Sequence, residues 1–240
     1  MDVNKNSYTF VFSAILVIVV AGLLAFVSES LKPRQKENVR IEKMQDILAS
    51  VGVESTTDNA NEMFDKLIVS QILLNSEGQI LDNSEISPFD VDPVQQFRAV
   101  PAEERLHPLF IYQDGGDKKY IVPLAGKGLW GPIWGYISFK EDMTTIYGTT
   151  FDHAGETPGL GSEINTGLFQ NRFIDKTIFN QEGEFVSVKV VKGGVDVSGD
   201  KHKVDGISGG TITSNGVSEM IQRTLKIYVP YFKGDKENTL

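Results

Sequence analysis

Apolar and charged positions are unevenly distributed along the chain. Residues 8–27, reading YTFVFSAILVIVVAGLLAFV, carry no charge. At a helical rise of ~1.5 Å per residue the run covers ~30 Å, the hydrocarbon thickness of a bilayer. Beyond it, Ile41, Met44, Leu48 and Val51 recur at helical spacing and stop at Gly52. That pattern predicts an amphipathic helix leaving the membrane surface. A second helix is predicted over 58–68, and a hairpin over 71–83 around Ser76-Glu77-Gly78. Residues 88–108 hold prolines at 88, 93, 101 and 108 and read as loop. Strand-like runs follow at 109–113, 119–122, 134–139 and 185–191, with Asp114-Gly115-Gly116-Asp117 as a hairpin turn between the first two. The last element is a helix from about Asn215, with Val217, Met220, Ile221, Leu225 and Tyr228 on one face. Helices and strands without βαβ alternation predict an α+β fold.

The expected organisation is an anchor over 1–34 with its span at about 8–27, a juxtamembrane helical and mixed region over 35–108, a domain over 109–233, and a tail over 234–240. A cleavable signal peptide has a shorter apolar core, ~7–15 residues, ending in a small-x-small site. Here the only candidate site, Ser28-Glu29-Ser30, has an acidic residue inside it, so an uncleaved single-pass anchor is expected. Lys32, Arg34, Lys36, Arg40 and Lys43 follow the span, against Lys5 before it. Read literally, the charge rule places the large domain in the cytoplasm, but the rule weakens for long domains.

Charge and composition narrow the classes further. The chain has 23 Lys+Arg against 32 Asp+Glu, a formal charge of −9, and the 206 residues beyond position 34 carry −10. An acidic chain without a basic stripe argues against nucleic-acid binding. The absence of cysteine excludes disulfides, a thiolate nucleophile and cysteine-ligated zinc or iron–sulfur centres within this chain.

Two glycine-rich stretches carry candidate chemistry. The loop 205–217, DGISGGTITSNGV, puts four glycines among hydroxyl and amide side chains, directly ahead of an amphipathic helix. Unpaired N–H groups and the helix dipole there favour an anion such as a phosphate; the alternative is a plain loop with an Asn cap. It lacks the lysine of a phosphate-binding loop of the Walker kind. The second stretch, FDHAGETPGLG (151–161), has a tight turn at Pro158-Gly159. Upstream, GLWGPIWGYISF (128–139) holds both tryptophans, which suits either stacking on a planar ring or a place in the core. His153 with Asp152 and Glu156 reads first as a turn histidine, and only secondarily as an acid–base or metal site. No nucleophile–base–orienter set is visible, so no catalytic residue and no metal site is assigned.

Three of these segments resemble one family. Ser208-Gly209-Gly210-Thr211-Ile212-Thr213 is similar to the flavinylation signature S/T-G-A-T-x-T. GLWGPIWGYISF and HAGETPGLG resemble the FMN-binding domain of the NqrC family, a membrane-anchored component of the Na⁺-translocating NADH:quinone oxidoreductase. The corresponding flavin-carrying component of the Rnf complex shares the shorter motifs. The resemblance implies an α+β FMN-binding domain behind a single transmembrane helix in the bacterial inner membrane, facing the periplasm. It implies FMN held covalently on Thr213 through a phosphoester, attached by a Mg²⁺-dependent flavin transferase that uses FAD. It implies a loop shaped by Ser208, Gly209, Gly210 and Thr211, and a flavin environment of Glu156, Thr157, Leu160, Gly161, Trp130 and His153. Glycine at 210 replaces the usual alanine, which leaves the acceptor accessible. The implied role is electron relay from an iron–sulfur centre towards ubiquinone, within a six-subunit complex that oxidises NADH and exports Na⁺. The alternatives are the Rnf-type counterpart and an anchored binding module without a cofactor.

Overall fold

The computed structural model describes residues 6–82 and 84–234. Lys5, the Asn83 end of the predicted hairpin and the tail beyond Gly234 lie outside the described residues. The chain divides into two units, Met1–Lys43 and Met44–Leu240.

The first unit is helical. Helix α1 (Asn6–Ser50) runs unbroken for 45 residues, so the span and the amphipathic segment predicted after it are one helix. Its apolar run is exposed on all sides, as a lipid-facing helix requires. Pro33 lies inside it, where the ring removes one backbone donor. From Met44 onward the helix belongs to the second unit and buries Met44, Ile47, Leu48 and Ser50.

The second unit is built on a five-stranded antiparallel sheet in the order β1-β2-β3-β4-β5. Helix α2 (Ala60–Leu67) leads directly into β1 (Ile68–Leu74). The predicted hairpin over 71–83 shrinks to the turn at 75–79 and a single bridge from Leu74 to Ile80. Helix α3 (Pro93–Ala99) breaks the stretch read as loop; the Asp92 carboxylate caps it by accepting from the Val94 and Gln95 amides. Strands β2 (His107–Asp114) and β3 (Asp117–Lys127) meet at the predicted Gly115-Gly116 turn. Strands β4 (Pro132–Phe139) and β5 (Ile146–His153) complete the sheet. The sheet takes in β1, N-terminal to the domain start expected at 109.

One prediction changes in the segments that follow the sheet. The strand expected over 185–191 reduces to β6 (Lys189–Val190), paired in parallel with β7 (Lys203–Val204). Ser187 takes φ +63, and its amide and that of Val186 both donate to the Ile178 carbonyl, which interrupts the extended run. The short helix α4 (Gly167–Gln170) and its flanking 3-10 turns pack Ile164, Phe169 and Phe173 against Phe151 of β5.

Helix α5 (Thr211–Gly234) covers one face of the sheet. Val217, Met220, Ile221, Leu225, Tyr228 and Phe232 are buried against Leu109, Ile111, Val122, Leu124, Ile137 and Phe139. The predicted apolar stripe is therefore the packing face, each fully buried side chain contributing about 1.5–3 kcal/mol. The approach is close: a Cβ at Gly126 would lie 2.7 Å from that of Met220, and one at Gly216 would strike the Lys127 carbonyl. On the opposite face the end of α1 reaches the sheet, where the Ser138 hydroxyl donates to the Ser50 carbonyl at 2.5 Å. With both faces covered, β3 is buried almost end to end, so it shows no polar–apolar alternation.

His107, at the start of β2, sits edge-on to the Tyr228 ring in a cleft with Arg105 and Arg223. Burial and the two guanidinium groups lower its pKa from 6.5 to about 4. The unfolded chain therefore takes up this proton at higher pH than the folded one. Stability held above pH 6.5 is lost as the pH falls towards 4, by at most about 3 kcal/mol. Denaturant titrations of the wild type and His107→Asn across that window should show a shallower pH slope for the variant.

Candidate functional site

Three glycine-bearing segments converge on one carboxylate. The β3–β4 connection turns through 128–131, closed by the Gly128 amide donating to the Gly131 carbonyl at 2.8 Å. This turn aims the Trp130 backbone N–H at Glu156 Oε1, 2.9 Å away. After β5 the chain passes Ala154 and buries Glu156, whose own amide donates to His153 Nδ1 at 3.2 Å. That bond leaves the His153 proton on Nε2, which is buried without a hydrogen-bond partner among the described residues. The second carboxylate oxygen, Glu156 Oε2, accepts from the Thr213 hydroxyl at 2.6 Å.

Thr213 is less accessible than the glycine at 210 led one to expect. Helix α5 begins at Thr211 rather than near Asn215, so Thr213 lies in the first turn and is 1% exposed. The early start has a local cause. The Ser214 amide donates to the Gly210 carbonyl at 2.9 Å, and the Ser214 hydroxyl accepts from the Ile207 amide at 3.2 Å. Glu156, 4% exposed, stands against this helix N-terminus, where a negative charge is favoured.

The remaining predicted residues distribute around the pair. Gly161 borders it directly: an added Cβ would strike Glu156 Oε2 and lie 2.5 Å from Thr213 Oγ1. Thr157 and Leu160 close an exposed turn by a 3.1 Å backbone bond, with Gly159 at φ +74 in its second central position. Leu160 packs on Gly209, whose φ of +77 favours glycine. Gly210 is buried beside Ile207 and Leu160. Ser208 and Thr211 are exposed at the loop surface and make no bond to Glu156. The loop has a clamp that the sequence did not disclose. Arg172 donates to the carbonyls of Asp205 and Gly206 at 2.8 and 3.0 Å, while Asp205 Oδ1 accepts from the Gly194 and Val195 amides. Arg172 stands 33 positions before Asp205, and no local pattern links them.

The surroundings fit a flavin mononucleotide. Leu129, Trp130, Leu160 and Ile212 are exposed apolar side chains on the segments that meet at Glu156, Trp130 with 69% of its surface open. Such a surface suits a planar ring, and the first-turn amides of α5 suit a phosphate. Among the described residues, no group of three or more His, Asp or Glu side chains is placed to hold a metal ion.

Comparison with known proteins places the chain in a family. Residues 128–226 match the FMN-binding domain family, which is the class of the domain. The NqrC component of the Na(+)-translocating NADH-quinone reductase of Vibrio vulnificus strain YJ016 is 30% identical over 216 residues, 84% of each chain. Its Haemophilus ducreyi counterpart is 30% identical over 230 residues, 89% of this chain and 88% of that one. The crystal structure of the Parabacteroides distasonis counterpart superimposes with a TM-score of 0.74 at 44% identity, covering 84% of this chain and 96% of that one. NqrC of Shewanella oneidensis gives 0.68 at 26% identity, covering 81% and 98%. The chain belongs to the NqrC family of the Na⁺-translocating NADH-quinone reductase, an oxidoreductase complex, and carries its FMN-binding domain.

Because Gly161 leaves space for both the Glu156 and the Thr213 side chains, Gly161→Ala should cost about 1–3 kcal/mol by denaturant titration. Gly155→Ala, where an added Cβ meets nothing within 4 Å, should stay within about 0.5 kcal/mol of the wild type.

Proposed function

We propose that this chain holds FMN covalently, as a phosphoester on Thr213, and relays electrons from an iron–sulfur centre of a partner protein towards quinone. The observation that carries the reading is the Thr213 hydroxyl in the first turn of α5, hydrogen-bonded to the buried Glu156. FMN, when bound, supplies chemistry that no side chain here offers, accepting two electrons and releasing them singly. Thr213 supplies the attachment oxygen, and the α5 N-terminus favours the phosphodiester charge. Gly209 and Gly210 keep the loop small beside the acceptor, with Ser208 and Thr211 on its open side. Trp130 and Leu160 offer apolar surface to the ring, Gly161 leaves room for the Glu156 and Thr213 side chains, and Thr157 and His153 hold the turn and the Glu156 backbone.

Maturation in this reading requires a flavin transferase that takes FMN from FAD with Mg²⁺. The domain then faces the periplasm from a single anchor in the inner membrane, as one of six subunits whose electron transfer drives Na⁺ export. The basic residues after the span argue the other way, but a domain of this length crosses largely regardless of flanking charge.

Intact mass of the membrane-extracted protein should show one FMN-phosphoryl adduct. Thr213→Ala should lose it, while Ser208→Ala and Thr211→Ala keep it; an adduct on Thr213→Ala would remove the assignment. Orientation has a direct test, because the chain has no cysteine. Leu168, 83% exposed, can be replaced by cysteine. A membrane-impermeant maleimide should label Leu168→Cys in intact spheroplasts, and labelling only after lysis would place the domain in the cytoplasm.

A further inference from the structure

Thr213 Oγ1 donates to Glu156 Oε2 at 2.6 Å, and both residues are almost fully buried. The other carboxylate oxygen is held by the Trp130 N–H. No ion pair among the described residues includes Glu156, so its charge is met by an amide, a hydroxyl and the helix N-terminus alone. The fold makes room for this carboxylate from two sides. A Cβ at Gly128 would strike Oε1, and one at Gly161 would strike Oε2. A space kept clear by two glycines for one carboxylate oxygen each exceeds what a satisfied threonine needs, since a backbone carbonyl would serve as well.

A threonine hydroxyl is a weak nucleophile while it keeps its proton, and an adjacent base activates it. We propose that Glu156 is the base that activates Thr213 for flavin attachment. The inference rests on the reading of Thr213 as the acceptor. In the step, the Thr213 Oγ–P bond to the FMN phosphoryl group forms while the P–O bond to the adenylate of FAD breaks. The hydroxyl proton passes to Glu156 Oε2, and AMP leaves; no electron is gained or lost. The geometry is pre-set, because donor and acceptor are already at the short end of hydrogen-bond distances. It also accounts for reaction at a buried hydroxyl. The turn at 157–160 is exposed and leads into Gly161, which abuts the hydroxyl. Glu156 is anchored away from that turn by Trp130 and His153. Displacing the turn bares Thr213 without detaching its base. Once the ester forms, Oγ1 no longer donates, and a neutral Glu156 supplies the hydrogen-bond donor beside the new phosphodiester where an ionised one would repel it.

The test measures flavin transfer onto the full-length protein produced without flavin, using purified transferase, FAD and Mg²⁺, with covalent fluorescence after denaturing electrophoresis as readout. Glu156→Gln keeps size and hydrogen bonding but cannot take the proton. Its turnover should fall about 100-fold or more, with the KM for FAD unchanged. Glu156→Asp should retain part of the rate, with circular dichroism and melting close to wild type for both variants. If Glu156→Gln fails to fold, Glu156→Asp decides: its retracted carboxylate should slow transfer at least tenfold. Transfer at the wild-type rate in the folded variant would overturn the proposal and assign the base to the transferase. Failure of the underlying reading looks different, as an unlabelled wild type or a labelled Thr213→Ala.

Discussion

Helix α5 meets strand β3 through glycine on each side, and the position of Thr213 follows from that contact. Gly216 faces the Lys127 carbonyl and Gly126 faces the Met220 side chain, so α5 has no room for a side chain at the first point and β3 none at the second. Protein interiors of this density accommodate little shift, and the buried stripe from Val217 to Phe232 holds the helix along its length. The same contact lies at the end of β3, where the chain turns through 128–131 towards Glu156. One packing constraint therefore fixes both the acceptor hydroxyl and one anchor of its carboxylate partner. The other anchor, His153, ends β5, which is held to β4 by the sheet ladder.

Much of this was legible in the sequence, for reasons that differ by element. The membrane span shows as 20 uncharged positions, and the α5 stripe as helical spacing, because each faces a uniform environment, lipid or core. The Gly115-Gly116 turn was legible because its φ requirement is written in the residue type. Strand β5 was not, since Gly148, Thr149 and Thr150 give it no apolar alternation; its strand state comes from pairing with β4. The ends of β3 and β4 were underestimated because burial on both faces removes the polar half of the pattern. Pro33 would ordinarily mark a helix boundary, yet α1 continues through it.

The site divides in the same way. Glycine spacing and the resemblance picked out Glu156, Gly161 and Thr213, which the fold brings together. The sequence could not disclose that Thr213 is buried, because the hydroxyl-rich stretch from Ser208 to Ser214 reads as solvent-loving. Its inward turn depends on Ser214 satisfying the Ile207 amide and on a carboxylate 57 positions away. Trp130 shows a related limit: its ring attracts notice in the sequence, while its backbone amide makes the bond to Glu156. Arg172 is further removed still, since it acts only on the carbonyls of the loop and leaves no trace in the loop's own composition.

The margins of the sheet have a consequence for a protein confined to two dimensions. Strands at a sheet edge present unpaired backbone groups, a template for joining another copy. Here both margins are blunted. On β5, Ile146 is engaged through both its amide and carbonyl by Lys176 and Asp175, and the Phe151 carbonyl accepts from Gln170. On β1, the Leu73 carbonyl is taken by the Leu81 amide, and a register shift between Ile68 and Ser70 makes the strand irregular near its start. An anchor in the bilayer brings neighbouring copies together far more often than free diffusion would. Closed margins let the domain live at that crowding without joining its neighbours edge to edge.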